Sequence, residues 1–217
     1  MIQSKEEYAF YLEADRIALN IQLKRPRLFQ DEIWKFQRLL RKVEFVKNCR
    51  KSSISKIDLL QSWFRLRKLG NQFGFSIWPN VFGPGLSIAH RGPIVVHPEA
   101  KVGENCRIHQ CVTIGSILPP GEQARYGYIT PAKMVPKIGN NVFLGPGAVV
   151  VGDIEIADGI AIGANSYVNK SFKEPNITIA GCPAKKISDK GSKYCWFQAT
   201  EILKGRVASP SLCSSEQ

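Results

Sequence analysis

The sequence predicts a mainly β chain, a stack of short parallel strands wound into a triangular coil and preceded by a small α-helical region. Three observations carry this prediction. Aliphatic residues recur at every sixth position over two stretches, small residues hold fixed places within each six, and before residue 75 the pattern is helical instead. The chain divides accordingly into a basic α-helical region over 1–75, a repeat domain over 76–188 and an extension over 189–217.

The helical region reads as three amphipathic segments. EEYAFYLEADRIALNIQL places Phe10, Ile17 and Ile21 near a 3.6-residue period. Asp31 stands where a side chain can cap a second helix, whose apolar positions are Ile33, Trp34, Leu40, Val43 and Val46. The run IDLLQSWFRLRKL forms a third helix, expected to stop at Gly70. Pro26 separates the first two.

From Gly74 onward the helical period disappears. Stepping by six gives Val96, Val102, Ile108 and Ile114, then Ile138, Leu144, Val150, Ile156, Ile162 and Val168. Ile, Leu and Val make up 51 of 217 residues, so ten successive matches are not chance. The next residue is often glycine (Gly103, Gly115, Gly139, Gly145, Gly163), which suggests a corner of unusual φ. The fifth position is small or aliphatic at Ala100, Cys106, Val112, Val142, Ala148, Ile154, Ile160 and Ser166. Six residues suffice for one short strand and a turn. Three such units close a triangle, and successive coils stack about 4.8 Å apart as parallel strands. The aliphatic position then fills the interior.

Composition narrows the function classes. With 44% hydrophobic and 22% charged residues, the chain has the composition of a globular protein. No stretch approaches the ~18 apolar residues of a spanning helix, and the N-terminus lacks an apolar signal core. A cytoplasmic location is expected. The six cysteines show no paired spacing and the three histidines no finger-like spacing, so neither a disulfide framework nor a zinc site is expected. Of the net charge of +12, residues 1–76 hold +8, from 16 Lys+Arg against 8 Asp+Glu. No nucleic-acid motif accompanies it, so nucleic acid is not expected as a partner. An anionic membrane at the inner face of the cell is the alternative, giving the chain a peripheral location.

Over Ile77 to Ile187 the sequence resembles the hexapeptide-repeat acyltransferases, whose fold is a left-handed parallel β-helix. The stretches LSIAHRGPIVVHPEAKVGENCRIHQCVTIG, PKIGNNVFLGPGAVVVGDIEIADGIAIGANSYVNK and IAGCPAKKI are similar to the serine acetyltransferase branch, which includes capsule and O-antigen O-acetyltransferases. The resemblance implies a homotrimer, acetyl-CoA as acyl donor and no metal.

Transfer of acetyl to a hydroxyl needs a base, and histidine, with an ordinary pKa near ~6.5, is suited to it. His90 lies in a stretched unit, with eight residues from Ile88 to Val96 instead of six. Two extra residues force a bulge that re-aims side chains. The family's catalytic histidine occupies this unit, and His90 matches it. If Ile88, Val96 and Val102 form one coil, His109 stands over Ala89 and Gln110 over His90. Either can orient the His90 ring, and His109 is the alternative base. His97 falls on another face and reads as a turn residue.

The family's serine-specific members carry an aspartate before the catalytic histidine and a second histidine before Pro-Lys-Ile. Here those places hold Ala89 and Val135. On that ground the expected acceptor is a sugar hydroxyl of a surface polysaccharide precursor. Serine O-acetylation is the alternative, and a non-catalytic scaffold a remote third. The 23 residues between Ile114 and Ile138 interrupt the repeat, and Arg125, Tyr126 and Tyr128 there are candidate acceptor contacts. By resemblance, Gly145, Gly147, Ala148, Gly163 and Ala164 line an acetyl-CoA groove, with Lys170, Lys185 and Lys186 meeting its phosphates.

Overall fold

The computed structural model describes residues 1–117, 134–194 and 198–205. Three helices come first, α1 (Lys5–Ala18), α2 (Glu32–Cys49) and α3 (Ser53–Phe73). Fourteen short strands follow on the three faces of a coil. The first face stacks β1 (Phe75–Ser76), β3 (Ile94–Val96), β6 (Thr113–Gly115), β9 (Val149–Val151) and β12 (Tyr167–Val168). A second stacks β4 (Lys101–Val102), β7 (Lys137–Ile138) and β10 (Glu155–Ile156). The third stacks β2 (Ser87–Ile88), β5 (Arg107–Ile108), β8 (Phe143–Leu144), β11 (Ala161–Ile162) and β13 (Thr178–Gly181), and β14 (Ala184–Ser188) closes it antiparallel to β13. A short helix, α4 (Ala199–Leu203), packs against α1. The fold is a left-handed parallel β-helix with a helical N-terminal part.

The strands pair aliphatic position with aliphatic position, as the repeat predicts, and the coils close across the stretched unit and the inserted segment without losing that match. Ile88 pairs Ile108, Ile108 pairs Leu144, Leu144 pairs Ile162 and Ile162 pairs Ile179 up one face. All ten six-step aliphatic residues and all eight fifth-position residues are buried. Each coil therefore adds a layer of methyl groups to one continuous core, which extends under α2 and α3 through Phe36, Leu40, Val43 and Leu66.

The glycines after the aliphatic position have a different reason from the one expected. Gly103, Gly139, Gly145 and Gly163 are absent from the positive-φ residues. They are small because the next coil passes too close: a Cβ on Gly145 would lie 2.7 Å from the Ile162 carbonyl oxygen, and one on Gly163 would lie 2.9 Å from the Ala180 Cβ. The left-handed corner comes two residues later, at Asn105, Cys111, Asn141, Gly147, Gly159 and Asn165. Asparagine tolerates that conformation better than other side-chain-bearing residues.

Three helix expectations need correction. Helix α1 ends at Ala18, and it buries Tyr11, Ala14, Asp15 and Ala18 while Phe10 and Ile17 are half-buried. Asp31 precedes α2 in a left-handed conformation (φ 57°) without a side-chain cap bond. Its carboxylate instead accepts from the Arg27 backbone N–H, Nε and Nη2, and those bonds hold its pKa down at about 2. Helix α3 runs past Gly70 to Phe73, and Gly74 (φ 78°) caps it. Gly70 stays helical because the helix passes tightly under the following strand, where a Cβ would lie 2.8 Å from the Phe75 carbonyl oxygen.

The lowest coil has no coil beneath it, and side chains from α1 and α2 take over the missing backbone pairing. The buried Gln37 amide donates to the Leu86 carbonyl at 2.7 Å and accepts from the Ile88 N–H at 3.2 Å. The Asp15 carboxylate accepts from the N–H groups of Gly85 and Leu86, both at 2.9 Å. Arg41 donates to the carbonyls of Phe82 and Gly83 at 2.9 and 2.7 Å. Arg41 also pairs with Asp15 at 2.8 Å and Glu44 at 3.0 Å, all three side chains being buried. Burial pushes the Glu44 pKa up, against the pull of Arg41. Among the described residues, no helix is long and apolar enough to cross a membrane.

Candidate active site

The stretched unit forms the bulge expected of it. Beyond β2, Ala89 donates to the Ile108 carbonyl at 3.0 Å, and His109 donates to that of Leu144 at 3.1 Å. His109 therefore stands one coil above Ala89. His90, Arg91, Gly92 and Pro93 leave the coil and return at Ile94, where Pro93 accepts from the Cys111 N–H at 2.6 Å. Gly92 (φ 134°) permits that return, since a Cβ there would lie 3.0 Å from the Gln110 Cβ.

His90 is exposed on this bulge, its ring centroid 5.8 Å from that of His109. His109 leans in turn on Phe143, centroid to centroid 5.1 Å. Burial, followed by the charges of Arg107 and His90, lowers the His109 pKa. It is neutral at physiological pH and keeps one acceptor and one donor nitrogen. The His109 Nε2, the Gln110 Oε1 and the Trp34 Nε1 are buried and have no hydrogen-bond partner among the described residues.

The cleft itself has a volume of about 230 Å³ and lies between the helices and the bulge. Ile21, Glu32 and Trp34 line one side, and Ile88, Ala89 and Arg91 the other, so residues on both sides of His90 face it. Glu32 and Arg91 are ion-paired across it. Sequence reasoning placed Ile21 and Trp34 on apolar helix faces and gave Glu32 no role. The signal for Glu32 and Trp34 is tertiary, because only the fold brings α2 beside a loop more than fifty residues later.

The other candidates divide clearly. His97 lies on another face, where its Nδ1 accepts from the Glu99 N–H at 3.1 Å. Gly145 and Gly163 stack directly above His109 in register, and Ala164 is exposed beside them. Gly147 takes the left-handed corner. The Ala148 side chain points into the core with no exposure, because fifth positions face inward, so it lines no groove. Lys170 lies over the Phe172 ring, and Lys185 is exposed. Lys186 is held by Glu174 at 2.5 Å and Asp189 at 2.6 Å, an arrangement that satisfies its charge within the chain. Arg125, Tyr126 and Tyr128 lie outside the described residues. Val135, in the place of the family's second histidine, is buried.

Comparison with known proteins bears on the repeat and the fold. The family model of the bacterial transferase hexapeptide (six repeats) matches residues 136–170. Serine acetyltransferase of Synechococcus elongatus is 34% identical over 119 residues, covering 54% of this chain and 44% of that protein. Serine acetyltransferase of Buchnera aphidicola is 30% identical over 132 residues, covering 60% and 44%. The chain thus spans about half the length of the curated relatives it matches. Among solved structures, serine acetyltransferase from Brucella abortus superposes with a TM-score of 0.63 at 24% identity, covering 87% of this chain and 72% of that one. The same enzyme in complex with coenzyme A gives 0.63 at 25%, covering 86% and 70%. The soybean apoenzyme gives 0.64 at 23%, covering 84% and 70%. The chain carries the hexapeptide repeat over residues 136–170 and is similar to serine acetyltransferases in sequence and in its β-helix fold.

Proposed function

We propose that the chain is an acetyl-CoA-dependent O-acetyltransferase that acts on a small hydroxyl-bearing acceptor, free serine being the first choice, and works as a homotrimer. The observation that carries this reading is His90 exposed on the bulge beside a cleft holding the opposite charges of Glu32 and Arg91. A zwitterionic amino acid complements those charges once the Glu32–Arg91 ion pair opens, its ammonium facing Glu32 and its carboxylate Arg91. The relatives supply the second support, since those reported above are serine acetyltransferases, and one solved neighbour holds coenzyme A. They move the preferred acceptor away from the sugar hydroxyl that the sequence led us to expect.

In this mechanism the His90 imidazole takes the proton of the acceptor hydroxyl as its oxygen attacks the thioester carbonyl. The tetrahedral intermediate collapses with loss of the CoA thiolate, which recovers the proton from the imidazolium. His109, whose ring centroid lies 5.8 Å from that of His90, and Gln110 orient the His90 ring. The donor runs along Gly145, Gly147, Gly163 and Ala164, with Lys170 and Lys185 meeting its phosphates. Ala148 contributes backbone alone, and Lys186 reaches a phosphate only by leaving Glu174 and Asp189.

Ala89 and Val135 keep a second acceptor in view. Both stand where the serine-specific members carry polar groups, which favours a sugar hydroxyl instead. Thiol release from acetyl-CoA, measured with L-serine and with a panel of nucleotide sugars, separates the two. His90→Ala should lower turnover by about 100- to 10,000-fold with acetyl-CoA binding retained. Near-normal turnover removes His90 from the role, and no thiol release with any acceptor favours a scaffold.

A further inference from the structure

The outward face of α3 is apolar and has no partner among the described residues. Ile54, Ile57, Leu60 and Phe64 recur at spacings of three, three and four and are 81%, 60%, 71% and 70% exposed. The opposite face of the same helix, with Ser55, Ser62, Leu66 and Phe73, is buried against the rest of the chain. Apolar side chains on both faces of one surface helix are not explained by the core. A groove of about 430 Å³ beside the exposed face passes Leu59, Leu60 and Trp63 and is rimmed by Lys47 and Lys56.

The charges around this face have one sign. Helix α3 carries Lys56, Arg65, Arg67 and Lys68, all exposed. Its single acid, Asp58, pairs with Lys42 of α2 at 2.6 Å and accepts from Ser62, so its charge is satisfied within the chain. The result is an apolar strip bordered by cations. A helix of this kind lies in the plane of a membrane interface, its apolar side chains in the acyl boundary and its cations among the headgroups. Set face to face with the same strip of a second copy, the basic border would repel itself, whereas an anionic lipid surface complements it.

We propose that the Ile54–Phe64 face of α3 docks this protein on an anionic phospholipid surface. This inference stands apart from the acetyl-transfer reading, because it concerns a different face and a readout without turnover. The experiment is co-sedimentation of the 217-residue chain with vesicles of phosphatidylcholine, alone or mixed with phosphatidylglycerol, at low and high salt. Binding to the mixed vesicles, absent from the neutral ones and reversed by salt, is expected. The triple variant Ile57→Ser, Leu60→Ser, Phe64→Ser should abolish it with an unchanged thermal melt, since all three side chains are exposed. Lys56→Gln with Lys68→Gln should weaken it about 25-fold, each charge near such a surface being worth about fivefold. Failure of the native chain to bind, or native-like binding by the triple variant, overturns the proposal. So does a triple variant that binds vesicles normally but loses concentration-dependent assembly in their absence, which would assign the face to a second copy.

Discussion

The β-helix and the helical part are held together by opposite means. Inside the coil, cohesion comes from repetition: each layer buries Ile, Leu and Val on the layer below, and backbone groups pair with the next coil. At the lower end that pairing stops, and the join to α1 and α2 is made by Asp15, Gln37 and Arg41, three buried polar side chains bonded to the backbone of residues 82–88. A stack of parallel strands always leaves one unpaired edge at each end. On the third face β14 covers the upper edge by antiparallel pairing, and helical side chains cover the backbone of residues 82–88 at the lower end. The difference shows where each region is vulnerable. The column tolerates exchange among hydrophobic residues but no charge, whereas the clamp requires its particular polar groups.

The largest test of the contrast is Ile156→Asp. Ile156 is 3% exposed in the stack beside Ile138, and a carboxylate there has no partner. We expect loss of about 4 kcal/mol or more, read as insoluble protein or the absence of a cooperative melt. Soluble protein of normal stability would break the account of the column. Next in size is Arg41→Met, which leaves Asp15 and Glu44 buried without their cation. A loss of about 3–5 kcal/mol in denaturant unfolding is expected, while a neutral result would show that the clamp is dispensable. Smaller again is Gln37→Leu, which strips the Leu86 carbonyl and the Ile88 N–H of their partner. Each unsatisfied group costs about 1–3 kcal/mol. Amide exchange at Ile88 should rise in this variant before exchange in the upper coils does. Equal acceleration throughout would mean that the lower edge does not open by itself.

The repeat was legible because its physics is local. A coil of three six-residue units places Ile162 beside Leu144, the two extra residues of the stretched unit place Ile108 beside Ile88, and that unit around His90 shows by counting alone. The reason for Gly145 and Gly163 was not legible, since composition cannot tell a corner conformation from a close approach by the neighbouring coil. Nor were the surroundings of Lys186 and Ala148 legible. A sequence shows that a lysine is present, not that Glu174 and Asp189 already hold it.

What the sequence by itself determined is the coil, its register, and the place of His90 on a bulge with His109 one layer above. These follow from a pattern in which each unit interacts with its nearest neighbours, so that spacing fixes contact. Only the tertiary structure decided the rest. It turned Arg41 from one more cation in a basic segment into the buried centre of the clamp, and brought Glu32 and Trp34 to the cleft beside His90. It also left Ile57, Leu60 and Phe64 facing outward. Residues far apart in the chain meet here through the packing of helices on an edge, and no period in the sequence encodes that contact.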